Sequence, residues 1–147
     1  APYPPIFVTV DALLRCGNEV LLIRRGHAPG KGLLALPGGF VEPRDSLWQS
    51  CLRELQEETH CALDESQLQA SLQSVTVFDH PDRSQRGRTI THVHYFDLQR
   101  SPKPAVRADD DAAEAFWLSI DAIRAREAEF FEDHFQIVQK VLAGNGQ

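Results

Sequence analysis

The stretch DSLWQSCLRELQEETHC, residues 45–61, leaves the chain little choice of local structure. Ser46, followed three positions later by Gln49, forms a capping-box signature immediately before an apolar periodicity, and predicts a helix over 46–59. On a helical wheel Leu47, Trp48, Cys51, Leu52 and Leu55 form one apolar arc that must lie on a core. At about 100° per residue, Glu54 and Glu58 fall about 40° apart, with Glu57 about 60° to the other side of Glu54. The three acids therefore share one face at the border of the buried arc.

That placement has a cost. Like charges four residues apart on a helix repel by roughly 0.2–0.5 kcal/mol, and negative charge near the helix C-terminus opposes its dipole. A solvated acidic face is one explanation; a bound cation is the one that accounts for the cost. Carboxylates alone suit a hard ion such as Mg²⁺ or Mn²⁺, which combines a few of them with phosphate oxygens of a substrate. Arg53 is either an exposed helix arginine or a group that orients Glu57 or another carboxylate through hydrogen bonds.

Around the helix, IFVTVDALL (6–14) and EVLLIRR (19–25) are strand-like, separated by the turn signal CGN, and are expected to pair antiparallel. LLAL (33–36) is a short apolar run stopped by Pro37-Gly38-Gly39. SVTVFD (74–79) and TITHVHYFDL (89–98) flank a polar loop, AFWL (115–118) is a short strand, and 119–128 and 133–143 are helical. Strands paired through turns, one central helix and further helices at the C-terminal end point to a mixed α/β sandwich rather than a doubly wound sheet. All 147 residues are expected to form one domain.

Composition narrows the partners. A net charge of −6 counts against non-specific binding to nucleic acid or to an anionic membrane, and no apolar run approaches the roughly 18 residues of a membrane span. An anionic substrate would need metal ions or clustered arginines. Cys16, Cys51 and Cys61 are an odd number without metal-ligand spacing, which favours reduced thiols in a cytoplasmic setting. The N-terminal APYPP carries no secretory signal, and the lack of any Met suggests a trimmed start, with an upstream domain left open.

GGFVEPRDSLWQSCLRELQEETHC resembles the Nudix box, GX5EX7REUXEEXGU, in the register Gly39, Asp45, Arg53-Glu54-Leu55, Glu57-Glu58, His60, Cys61. The resemblance implies the Nudix fold, a mixed sheet sandwiched between helices, and hydrolysis of a nucleoside diphosphate linked to another group. It also implies that Glu54, Glu57 and Glu58 bind Mg²⁺ or Mn²⁺. Two positions depart from the pattern. Asp45 is one methylene shorter than the family's Glu, and His60 stands where a glycine is expected, at a helix end that favours the left-handed conformation. A His in that conformation costs on the order of 1 kcal/mol.

Beyond the box, RRGHAPGKGLLALPGGFVE, VFDHPDRSQRGRTITHVHYF and FEDHFQIV are similar to the ADP-ribose pyrophosphatase branch, in particular to Nudix domains fused to nicotinamide mononucleotide adenylyltransferases. The activity this implies is cleavage of ADP-ribose to AMP and ribose 5-phosphate. Hydrolysis of another nucleotide, or a Nudix-like module that senses ADP-ribose without cleaving it, are the alternatives. Arg83, Arg86 and Arg88, three guanidinium groups within six residues, are candidates for phosphate and ribose, or else a solvated loop tip. Arg24, Arg25, His27 and Lys31 lie around the first loop. Arg24 joins Gly39, at the head of the box, and Phe78 among the substrate-binding candidates.

In related hydrolases a carboxylate from a loop such as DDDAAEAFW assists the metals or acts as base, so Asp110, Asp111 and Glu114 join Arg53, Glu57 and Glu58 as catalytic candidates. Phe131 is a second aromatic candidate, with core packing the default for it and Phe78. His92 and His94 share a strand face, and packing is their expected role. Glu132 and Asp133 could favour the N-terminal dipole of the last helix. A homodimer is compatible with the sequence and not specified by it.

Overall fold

The structure, a computed structural model, describes residues 3–144. Strand β1 (Phe7–Cys16) is its axis, because its side chains are buried on both faces. Val10, Ala12, Leu14 and Cys16 join one apolar cluster with Cys51, Leu55 and Phe96, whereas Leu13 joins another with Leu22, Val93, Ile137 and Val138. Two helices supply the first face, α1 (Leu47–Thr59) and α2 (Glu65–Ser71). The second face is covered by α3 (Ile120–Arg124), a 3-10 turn over Glu127–Glu129 and α4 (His134–Leu142). The expected sandwich of a mixed sheet between helices is present, and the sheet has seven strands.

β1 runs parallel to β6 (Thr89–Asp97) along its length, and β6 pairs antiparallel with β5 (Leu72–Phe78). β2 (Glu19–Arg25) pairs antiparallel with β1 as expected, but only at Arg15–Val20 and Cys16–Glu19, after which the two strands part. β3 (Leu34–Ala35) lies on β2 in the gap, and β4 (Gly38–Phe40) lies on β1. β7 (Ala112–Ser119) covers the far edge of β2. The strand expected at 33–36 is reduced to Leu34–Ala35, and the Gly-Gly step after Pro37 is itself a strand. A Cβ at Gly38 would overlap the backbone of Val10 and Asp11, so only glycine lets β4 come this close.

Other boundaries differ from the expected ones. The expected 119–128 helix stops at Arg124, and β7 starts three residues before the expected 115–118 run. Helix α2 was not anticipated; it carries its own capping box, Asp64 with Gln67. The three cysteines are buried and free. Among the described residues no helix is long and apolar enough to cross a membrane.

Candidate active site

The parting of β1 and β2 opens a cleft of about 490 Å³, and α1 forms its acidic wall. Ser46 Oγ accepts from the Gln49 amide at 3.1 Å and Gln49 Oε1 accepts from the Ser46 amide at 2.8 Å, so the helix starts where its sequence requires. Glu58, three turns on, is 4 % exposed and accepts the Gly38 N–H at 2.8 Å. Glu54 lies against Gly39, where a Cβ would come within 2.7 Å of its carboxylate. The glycines therefore admit the two acids to the cleft wall.

Arg53 binds this wall together. Its guanidinium reaches Glu54 at 2.9 Å, Asp45 at 3.3 Å and Glu57 at 3.5 Å. Asp45 also accepts from Ser50 Oγ at 3.1 Å, so the shorter side chain still holds both α1 partners. Burial lifts the Glu58 carboxyl to about 8, opposed by the Gly38 hydrogen bond and assisted by Glu54, Asp11 and Asp111. It lifts Glu54 to about 7, with Arg53 pulling the other way.

At the end of α1, His60 has φ 46° and ψ 38°, the left-handed conformation, with its N–H on Gln56 O. Its ring Nε2 lies 2.8 Å from Asp109 Oδ2, which holds the Asp109 carboxyl below its usual range. The last carbonyls of α1 are capped by the same segment, Arg107 N donating to Thr59 O at 2.7 Å and Asp109 N to Glu58 O at 3.2 Å. The segment then brings Asp111 to the cleft, 3.3 Å from His27 Nε2. Asp110 adopts φ 56° in the turn, and Glu114 faces Arg24 at 3.8 Å.

The opposite wall is basic and aromatic. Arg25 stacks over the Phe131 ring at 4.0 Å and donates to Pro29 O at 2.8 Å. Arg86 lies 5.3 Å from the Phe131 ring centre and 5.4 Å from that of Phe40, whose ring is half exposed. At the floor, buried Asp11 accepts from Thr91 Oγ1 at 2.6 Å, and desolvation raises its carboxyl to about 7. His134 Nδ1 accepts the Leu36 N–H at 3.0 Å, while burial and then Arg83, Arg86 and Arg25 push the imidazole down to about 3. It is therefore neutral, with its proton on Nε2.

Of the sequence candidates, Glu54, Glu58, Gly39, Arg86 and Asp111 line the cleft, and Arg53 and Glu57 stand beside it. Arg24 donates to Gly32 O and faces Glu114 and Glu129 on the other side of β2. Arg83 is buried, its donors taken by Asp133 and Thr89. Arg88 donates to Asp79 O, and Phe78 lies in the core. His94 packs with Trp48 and Phe96, and His92 Nδ1 lies 3.4 Å from Thr9 O across the sheet.

Sequence reasoning did not single out Asp11, Phe40 or His134, and it ranked Arg24 above Arg25. Strand alternation does not decide the last point, since the residues that share parity with Arg25 (Leu21 and Ile23) and with Arg24 (Val20 and Leu22) are all buried.

Among the described residues no three Asp, Glu, His or Cys side chains are gathered tightly enough to hold a metal as placed. The donor chemistry nonetheless fits a hard divalent cation. Buried Glu58 and half-buried Glu54 lie one helical turn apart with half-exposed Glu57 on the same face, and together they offer an all-oxygen set of donors.

A capped glutamate helix laid across a Gly-Gly strand, facing arginines over a cleft in a split sheet, defines an α/β domain with one acidic and one basic wall. The NUDIX domain family matches residues 5–141, and the chain belongs to that family. It is 43% identical to the bifunctional NMN adenylyltransferase/ADP ribose pyrophosphatase of Francisella tularensis, solved with AMP and a Mn ion. That match has a TM-score of 0.94 and covers 98% of this chain and 43% of the other. The ADP-ribose pyrophosphatase of Methanocaldococcus jannaschii is 35% identical over 114 residues, 78% of this chain and 62% of the relative. The ADPR responsive transcriptional repressor NtrR of Acinetobacter baylyi is 29% identical over 147 residues, 96% of this chain and 55% of the relative. The chain thus spans 55% to 62% of the length of these curated relatives.

Proposed function

We propose that this domain hydrolyses the diphosphate of ADP-ribose to AMP and ribose 5-phosphate, with Mg²⁺ or Mn²⁺ held by Glu54, Glu57 and Glu58. The observation that carries the proposal is the pairing, across one cleft, of Glu54 and buried Glu58 with Arg25 and Arg86. The names of two relatives, both ADP-ribose pyrophosphatases, support the substrate. When bound, such cations neutralise a diphosphate and make a water more acidic.

The chain's own groups have separable tasks. Arg25 and Arg86, held on Phe131, receive the phosphate oxygens. Arg53 orients Glu54 and Glu57 through its hydrogen bonds to both. Asp111 is the acid of its loop that lines the cleft, and it is the base we propose. It takes the proton of the attacking water as the new P–O bond forms and the bridging P–O bond breaks, leaving two phosphate monoesters.

Incubation with ADP-ribose and Mg²⁺ or Mn²⁺, followed by chromatography, should yield AMP and ribose 5-phosphate in equal amounts. No AMP at high protein concentration overturns the proposal. Binding of ADP-ribose by calorimetry without turnover would instead place the domain with sensors, the role that the name of the repressor relative describes.

A further inference from the structure

We infer that Glu132 is a positioning residue for the basic wall, clamping the loop over 79–88 so that the Arg86 guanidinium is fixed in the cleft. The inference rests on the reading that the cleft takes a diphosphate, and it concerns a residue that neither touches the cleft nor belongs to the acidic helix.

Glu132 occupies φ 45°, a left-handed conformation that a non-glycine residue adopts at a cost of about 1 kcal/mol. Its side chain is only 7% exposed. Oε2 accepts from Ser84 Oγ at 2.9 Å and from the Gln85 N–H at 3.0 Å. Ser84 has one hydroxyl proton, and Glu132 takes it. Both lone pairs of Ser84 Oγ are then left for Arg86, which donates its backbone N–H at 3.1 Å and its Nε at 3.2 Å. The other carboxylate oxygen, Oε1, is buried without a hydrogen bond and lies 3.6 Å from Arg86 Nη2. One oxygen thus acts on Arg86 through Ser84, and the other through charge.

Neighbouring residues make the clamp rigid. Asp133 grips Arg83 in a two-pronged pair at 2.8 and 2.9 Å, and Arg83 Nη1 donates to Thr89 Oγ1 at 3.0 Å. The loop is therefore tied at 83, 84 and 85, which leaves the Arg86 side chain between the Phe40 and Phe131 rings. Phe131 precedes Glu132, and its N–H is tied to Leu34 O at 2.8 Å. Clamp and aromatic platform thus come from adjacent residues of one anchored segment. Orienting an arginine in advance lowers the cost of binding in ground and transition states alike, so its loss shows chiefly in KM.

Glu132→Ala should raise KM for ADP-ribose about tenfold and leave kcat within about threefold of the parent. Glu132→Gln can still accept from Ser84 and Gln85, and should recover most of that loss. In an Arg86→Ala background, Glu132→Ala should add less than about twofold, because the two residues act as one unit. Ser84→Ala cuts the same link from the loop side and carries the test if Glu132→Ala does not fold. An unchanged KM in the folded variant, or an equal rise in the Arg86→Ala background, overturns the inference. AMP affinity is measured on the same proteins by calorimetry. A parent that binds AMP without hydrolysing ADP-ribose defeats the functional reading while Glu132 is still judged by affinity, and a parent that does neither defeats both.

Discussion

Glu58 and Arg86 face the same cleft, but they are kept there differently. Glu58 stands four residues from Glu54 on a helix whose start is set by Ser46 and Gln49, and its carboxylate needs one outside contact, the Gly38 N–H. Arg86 is placed by Ser84, by Glu132 some fifty residues later in the chain, and by rings from β4 and from the segment before α4. Local geometry builds the acidic wall; tertiary contacts build the basic one. The first should therefore tolerate substitutions that spare its carboxylates, while the second should be disturbed from a distance.

The largest effect should come from removing acid without altering shape. Glu58→Gln keeps an acceptor for Gly38 and removes a buried carboxylate. Turnover of ADP-ribose should fall by at least about 100-fold, because a ligand oxygen of the proposed cation loses its charge. Thermal stability measured without added metal should hold or rise, since burial already opposes ionisation of Glu58. A variant that unfolds would show that Glu58 is a structural group, and the contrast between the walls would collapse.

This contrast also explains what could be seen in the sequence. The capped helix, the shared face of the three glutamates and most strands of the sandwich are written in short-range spacing, so periodicity and capping rules expose them, while the left-handed conformation at His60 is expected from the resemblance to the Nudix box. Asp11 is a lone acid in a β-branched strand, and only its contact with Thr91, eighty residues later, makes it part of the site. Arg83 and Arg86 are indistinguishable in sequence. The fold turns one into a buried tie to Asp133 and the other into the cleft group. The tight β4 pairing was hidden for a similar reason, because Pro-Gly-Gly is also a turn signal until β1 is beside it.

Acid should separate the walls further. His134 lies in the core beneath the basic wall, faces Arg83, Arg86 and Arg25, and is pushed down to about 3 from an ordinary value of 6.5. The unfolded chain therefore binds a proton that the folded one refuses, and the stability present above pH 6.5 is lost as pH falls from about 6.5 toward 3. Asp11, raised to about 7, titrates in the opposite sense, so the quantity to measure is the difference between parent and His134→Asn. The Asn Oδ1 can take the Leu36 N–H. Urea unfolding should show the parent losing up to about 1.4 kcal/mol per pH unit relative to the variant between pH 6 and pH 4. Parallel pH profiles would mean that His134 protonates in place.

The smallest effect tests the end of the acidic helix. At φ 46° His60 bears the cost of a side chain in the left-handed region, and glycine would remove it, gaining about 1 kcal/mol. His60→Gly would also break the contact with Asp109, but both partners are substantially exposed, and such pairs contribute little. The two backbone bonds that tie 107 and 109 to the helix end do not involve the His60 ring. His60→Gly should therefore raise the melting temperature by a few degrees and leave kcat/KM for ADP-ribose nearly unchanged, as scanning calorimetry and steady-state kinetics would show. A lower kcat/KM with an unchanged KM would mean that the His60–Asp109 contact sets the position of Asp111. The acidic wall would then depend on distant contacts as the basic wall does.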